Sequence, residues 1–175
     1  MKKLEEFCIP FSSLKLGSNV FNFEINKSFF EAFNYSVYES CDLVLQLDFR
    51  KENNLMDLQF HYQGITFTAC DRCLDSVSVD IKSNFNSILK FGHDVKQVIK
   101  DDVVYLPYES YEYNIAQPFY EHFLLNFPRR VIHGNNLCDS KQLTLMNKYS
   151  SKSDNVKFDD RWSKLKDLKN DKSKY

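Results

Sequence analysis

The chain has 175 residues, of which 43% are hydrophobic and 15% aromatic, and it contains only 4 Gly and 4 Pro. This composition favours one globular, strand-rich core and excludes a wholly disordered or loop-dominated chain. The net charge of −1 hides an asymmetry, because residues 1–140 carry 13 basic and 19 acidic side chains whereas residues 141–175 carry 10 basic and 5 acidic ones.

Alternating apolar and polar residues predict β-strands over most of the first 91 positions. A first strand is expected around residues 21–25, and a short helix over residues 28–33. The pattern then predicts four sequential antiparallel strands from Asp42 to Phe91, with polar turns at residues 51–54 and at Gln63-Gly64.

One strong helix is predicted after a short strand at residues 103–106. Asn114 is the expected N-cap, Pro118 lies in the first turn, where a missing N–H costs little, and Pro128 ends the helix. Glu121 lies on the polar side of this helix. An amphipathic helix needs such a side, so Glu121 is explained by solvent exposure and is also a candidate partner contact.

These elements predict an α+β fold. We expect an antiparallel β-rich domain over residues 1–140, arranged as a meander or partial barrel with one main helix. A basic, partly disordered tail with a short amphipathic segment is expected over residues 141–175.

The most informative motif is Cys70-Asp71-Arg72-Cys73, which is predicted to lie at the tip of a turn between two strands. Two cysteines in such a turn present both sulfurs to one side and supply half of a tetrahedral zinc shell, with Zn–S distances near ~2.3 Å. His133 and Cys138 are the best candidates for the other two ligands, since a turn-forming spacer separates them just beyond the predicted helix. A structural Cys3His zinc site is therefore expected.

Other interpretations of the cysteine pair remain open. Cysteine is often a small buried hydrophobic residue without further role. A thiol–disulfide enzyme using Cys70 and Cys73 is a second possibility, but redox pairs of that kind open a helix, whereas the residues after Cys73 continue as a strand. A third is a zinc-stabilised regulatory protein that binds another protein or DNA. No serine-based triad or phosphate loop supports an enzyme.

The N-terminus and the cysteine content indicate a cytoplasmic protein. The five cysteines are an odd number, and acidic residues at Glu5 and Glu6 interrupt any apolar signal segment. No apolar run approaches the ~20 residues that a membrane helix needs. Thiols of a cytosolic protein stay reduced, so we expect metal binding or burial rather than disulfides.

The basic tail predicts RNA binding, because lysine and arginine release counterions when they neutralise phosphates. Trp162, Leu165 and Leu168 have helical spacing, and tryptophan is a frequent interface anchor. The candidate partner-binding residues of the tail are Arg161, Trp162, Lys164, Lys166 and Lys169. A solvated end without a partner is the alternative.

From about Leu14 to Leu168, the chain resembles the YceD-like family of large ribosomal RNA subunit accumulation proteins. The residues that carry the resemblance are the Cys70-Asp71-Arg72-Cys73 element, the helix before Pro128 with the His133 and Cys138 that follow, and Asp160-Arg161-Trp162. Asp160 stands where many members have proline, and Asn114 where they have aspartate. The resemblance implies a role in ribosome biogenesis, a large-subunit precursor, ribosomal RNA or ribosomal protein as partner, and no catalytic chemistry.

Overall fold

The computed structural model describes residues 2–92, 103–134 and 137–150. The chain divides into two compact units, Met1–Asp139 and Ser140–Tyr175. The helices and strands of the first unit are, in order, a 3-10 helix Lys2–Phe7, β1 Cys8–Ile9, a 3-10 helix Phe11–Ser13, β2 Gly17–Asn26, α1 Lys27–Ala32, β3 Ser40–Lys51, β4 Leu55–Ala69, β5 Ser76–Phe91, β6 Val103–Leu106, β7 Tyr113–Asn114 and α2 Ala116–Asn126. In the second unit, the described part contains α3, Ser140–Tyr149.

Five strands form the main sheet in the order β2-β3-β4-β5-β6. The first four are antiparallel, whereas β6 is parallel to β5. β1 and β7 form a separate antiparallel pair. The α+β prediction is confirmed, with a mixed rather than a purely antiparallel sheet.

The long strands form because apolar residues occupy every second position, so one face of each strand is buried. In β3 the buried face carries Cys41, Leu43, Leu45, Leu47 and Phe49, and in β4 it carries Met56, Leu58, Phe60 and Tyr62. The alternate residues on these strands are largely exposed. The sheet therefore has one core face and one polar face.

Helices α1 and α2 cover the core face through aromatic contacts. Phe119 of α2 packs against Phe29 of α1 and Tyr62 of β4, with ring centroids 5.5 and 5.2 Å apart. Phe123 packs against Phe30 at 4.9 Å. Each aromatic pair adds about 0.5–1.5 kcal/mol beyond the area it buries. These contacts hold α2 against the core face of the sheet.

The predicted turn at Gln63-Gly64 is wrong, and there are three strands rather than four between Asp42 and Phe91. β4 runs without interruption through Gly64, which has φ +155°. A Cβ at this position would lie 2.1 Å from the carbonyl oxygen of Asp42. Glycine is required here by the close approach of two backbones and not by a chain reversal.

Helix α2 begins slightly later than predicted. Asn114 is the last residue of β7, and Ile115 occupies the N-cap position. The Asn114 side chain still accepts a hydrogen bond from the backbone N–H of Ala116 at 2.8 Å, so it does satisfy one free donor of the helix. The helix ends at Asn126, because the residue before Pro128 is held in an extended conformation.

Helix α3 covers residues 141–149 of the expected tail. This helix was not predicted from the sequence. None of the α3 residues is buried. The amphipathic segment predicted around Trp162, Leu165 and Leu168 lies outside the described residues. Among the described residues, no helix is long and apolar enough to cross a membrane.

Candidate metal centre

The cysteine pair occupies the turn between β4 and β5, as predicted. β4 ends at Ala69 and β5 begins at Ser76. Within the turn, the backbone N–H of Cys70 donates to Asp75 O at 2.8 Å and that of Leu74 donates to Cys70 O at 2.9 Å. Leu74 has φ +67°, a left-handed conformation that costs a non-glycine residue about 1–2 kcal/mol. The turn thus directs both sulfurs to the same side at some conformational cost.

The segment after α2 returns to this turn. Phe127 leaves the helix in an extended conformation, and Val131 then pairs with Asp71 through two hydrogen bonds. The Asp71 N–H donates to Val131 O at 2.8 Å, and the Val131 N–H donates to Asp71 Oδ2 at 2.6 Å. His133 follows two residues later. Asp71 therefore connects the two halves of the site although it is not itself a candidate ligand.

The four predicted ligands, Cys70, Cys73, His133 and Cys138, lie together, with their ligand atoms all within 4.8 Å of one another. Cys70 Sγ is 4.0 Å from Cys138 Sγ. His133 Nδ1 is 3.3 Å from Cys73 Sγ and 3.9 Å from Cys138 Sγ. Ideal tetrahedral zinc coordination, with Zn–S near ~2.3 Å and Zn–N near ~2.0 Å, places two sulfurs about 3.8 Å apart and a sulfur and a nitrogen about 3.5 Å apart. This cluster can hold a metal ion.

The imidazole of His133 is oriented by a backbone carbonyl. His133 Nε2 lies 3.0 Å from Ser76 O, so it can only act as the donor in this contact. The proton on Nε2 leaves the lone pair of Nδ1 facing the three sulfurs. Metal-binding histidines in proteins commonly donate their second N–H to such an acceptor, which fixes the tautomer and the ring orientation.

The thiols differ in their electrostatic environment. Burial raises the pKa of Cys70, but backbone N–H groups of Cys73, His133 and Arg72 outweigh this effect and lower it to about 6. Burial and hydrogen bonding with the neighbouring sulfurs raise the pKa of Cys138. Hydrogen bonding to the Cys70 sulfur and then to a backbone carbonyl raises the pKa of His133. Cys70 therefore ionises readily near neutral pH. The other thiols of the cluster would lose their protons when a metal ion binds.

The other predicted site residues lie elsewhere. Glu121 is exposed on α2 and accepts a hydrogen bond from Gln117 Nε2 at 2.5 Å. Cys8 and Cys41 are free thiols outside the metal cluster. The tail candidates lie outside the described residues, namely Arg161, Trp162, Lys164, Lys166 and Lys169.

Sequence reasoning missed Asp71 and Ser76 as residues that position the site. Asp71 lies inside the Cys-x-x-Cys element, so its place in the turn was visible, but its partner Val131 is 60 residues away. Ser76 contributes only its backbone carbonyl. A backbone carbonyl is the same in every residue type, so the sequence gives no sign of the contact between Ser76 O and His133 Nε2.

The description of the family model that matches residues 58–169 is large ribosomal RNA subunit accumulation protein YceD. The matched segment begins within β4 and includes all four residues of the metal cluster. No curated protein and no solved structure matches the chain. Because the match extends over more than half of the 175 residues, this chain belongs to the family of large ribosomal RNA subunit accumulation proteins YceD.

Proposed function

We propose that this chain is a non-catalytic ribosome-biogenesis factor that supports the accumulation of large-subunit ribosomal RNA by binding an assembling large subunit. The observation that carries this proposal is the family match over residues 58–169, since the family is named for that process. The sequence is consistent with a binding role, because residues 1–140 are net acidic and residues 141–175 are net basic.

The cellular test measures large-subunit relative to small-subunit ribosomal RNA in cells that lack the gene and in complemented cells. Loss of the gene is expected to lower this ratio, and the wild-type chain to restore it. A chain carrying Cys70→Ser and Cys138→Ser is expected to restore it poorly, because it lacks two of the four candidate metal ligands. Cys8→Ser, which changes a cysteine outside the cluster, is the matched control and should restore it fully. An unchanged ratio in the null strain would overturn the proposal.

We further propose that the cluster binds zinc in a structural role. Four nitrogen and sulfur ligands complete a tetrahedron, which leaves no open position for a catalytic water. Metal analysis of protein purified without chelator should find about one zinc per chain. Adding a chelator should lower the melting temperature, because binding free energy at such sites is folding free energy. Metal-free protein with an unchanged melting temperature would contradict zinc binding.

The main alternative is a thiol–disulfide enzyme. The lowered pKa of Cys70 favours it, since a catalytic thiol must ionise near neutral pH. The structure of the turn argues against such an enzyme, because strand β5 follows Cys73, whereas redox enzymes of this kind have the N-terminus of a helix at this place. An insulin-reduction assay separates the two functions. Turnover that is lost on Cys73→Ser and kept on Cys8→Ser would establish the enzyme.

A further inference from the structure

The polar face of the main sheet contains an apolar strip with acidic edges. Val44, Ile65 and Phe67 have 50%, 42% and 41% of their surface exposed, although they lie within β3 and β4. Ile65 and Phe67 are two positions apart on one strand, and Val44 is a diagonal neighbour of Ile65 on the next strand. Side chains in these positions lie within contact range of one another. They form one continuous patch, which we call the acidic-rimmed strip.

Strand register places carboxylates beside two of the three residues of this strip. Ile65 is paired with Asp42 on β3 and with Asp80 on β5, so an aspartate flanks it on both sides. Val44 is paired with Glu24 on β2. Within the described residues, none of these three carboxylates takes part in an ion pair.

The surface is slightly hollow at the centre of the strip. A hollow of about 500 Å³ is lined by Asp42, Ile65 and Asp80, together with Val44 and Lys82. Lys82 supplies the one positive charge at its edge, where it is paired with Gln63. Three carboxylates against one ammonium leave the strip negative.

The spacing of the aspartates restricts what they can bind. Asp42 and Asp80 are separated by two strand spacings, about 10 Å, which is too far for both to coordinate one metal ion directly. Two basic side chains four positions apart on one extended peptide can reach both carboxylates. The apolar side chain midway between them lies on the same face of the peptide and covers Ile65. RNA phosphates would be repelled by the same three carboxylates.

We propose that the acidic-rimmed strip docks a basic peptide segment of another protein, in which lysine or arginine and apolar residues take turns at every second position, so that both kinds of side chain face the strip. That this partner belongs to the assembling large subunit rests on the proposed function. Proteins that assemble with RNA carry such basic segments, because each lysine or arginine neutralises a phosphate. The strip therefore recognises a protein of the particle, whereas the basic end of the chain is left for RNA.

The test measures binding of the full chain, by anisotropy at low salt, to a fluorescent peptide that repeats arginine, serine, leucine and serine, which places arginine and leucine on the same face of an extended peptide. The double change Asp42→Asn and Asp80→Asn is expected to weaken binding about tenfold, the equivalent of about 1.4 kcal/mol for two partly screened charge pairs. Ile65→Thr keeps a β-branched residue in the strand and should also weaken binding. Circular dichroism establishes that each variant is folded.

The matched control is Asp48→Asn with Asp57→Asn, which removes two charges from the same sheet face away from the strip. It should change the affinity less than about twofold, as expected for distant screened charges. Equal weakening by the two double variants would overturn the proposal, because the attraction would then be nonspecific. Tighter binding of a short single-stranded RNA, unaffected by Asp42→Asn with Asp80→Asn, would also overturn it. Neither result would alter the ribosomal RNA ratio in the null strain, which tests the proposed function separately.

Discussion

Asp71 and Val131 are joined twice across 60 residues of sequence, once through their backbones at 2.8 Å and once through the Asp71 carboxylate at 2.6 Å. This pair holds the segment that carries His133 against the turn that carries the cysteines. A side chain that is not a candidate ligand thus joins the two distant parts of the chain that carry the four candidate metal ligands.

Asp71→Ala is expected to weaken metal binding about tenfold or more, as is typical when a residue that orients metal ligands is lost. It should also lower the free energy of unfolding by about 1–3 kcal/mol, because the Val131 N–H loses a charged acceptor. Competition with a chromogenic chelator measures the affinity. Asp75→Ala removes the same charge from the same turn without this hydrogen bond and should preserve the affinity. Equal affinities for Asp71→Ala and the wild type would show that Asp71 does not position the site.

Phe119→Ala is expected to destabilise the first unit by about 3–5 kcal/mol, because it leaves a cavity between α2, α1 and the sheet. Phe119 is fully buried and packs against Phe29 and Tyr62. Leu125 lies on the same helix with 85% of its surface exposed, so Leu125→Ala should change stability by less than about 0.5 kcal/mol. Urea unfolding followed by circular dichroism compares the two. Similar midpoints would mean that α2 does not pack as described.

His122 should make the protein less stable in mild acid. Its ring stacks on Phe85 with centroids 4.1 Å apart, its Nδ1 is 3.2 Å from the Tyr62 hydroxyl, and burial lowers its pKa. As pH falls below about 6.5, the unfolded state therefore takes up a proton before the folded state does, and stability is lost until the pH is below the folded pKa.

The measurement is the urea midpoint as a function of pH for the wild type and for His122→Gln, which does not titrate. The variant is expected to show a shallower decline as the pH falls below about 6.5. His61→Gln, at an exposed position of β4, is the control and should follow the wild type. Parallel curves for the wild type and His122→Gln would rule out this contribution.

Changing Lys164, Lys166 and Lys169 to alanine in the full chain should weaken co-sedimentation with large-subunit precursors. If each lysine contacts one phosphate, the slope of log affinity against log salt should fall by roughly 2–3 units. A control with alanine at Lys15, Lys27 and Lys90 removes the same charge from the first unit. Unchanged slope in the tail variant would mean that these lysines do not contact RNA.

The sequence by itself determined the features that depend on near neighbours. Period-two alternation predicted β3, β4 and β5, because a strand exposes alternate residues to opposite faces whatever lies far away in the chain. The cysteine spacing predicted a turn with two sulfurs, and Pro128 predicted the end of α2. Gly64 misled the prediction, since the local pattern of a turn and that of a close backbone approach are the same.

Only the tertiary structure decided which distant groups meet. Residue type made His133 and Cys138 candidates, but their approach to Cys70 and Cys73 depends on aromatic packing that seats α2 on the sheet and on the bond between Asp71 and Val131. The parallel pairing of β6 with β5 and the position of the carboxylates around Ile65 likewise follow from register between strands. Such contacts are set by the packing of many residues at once, and no short window of sequence contains them.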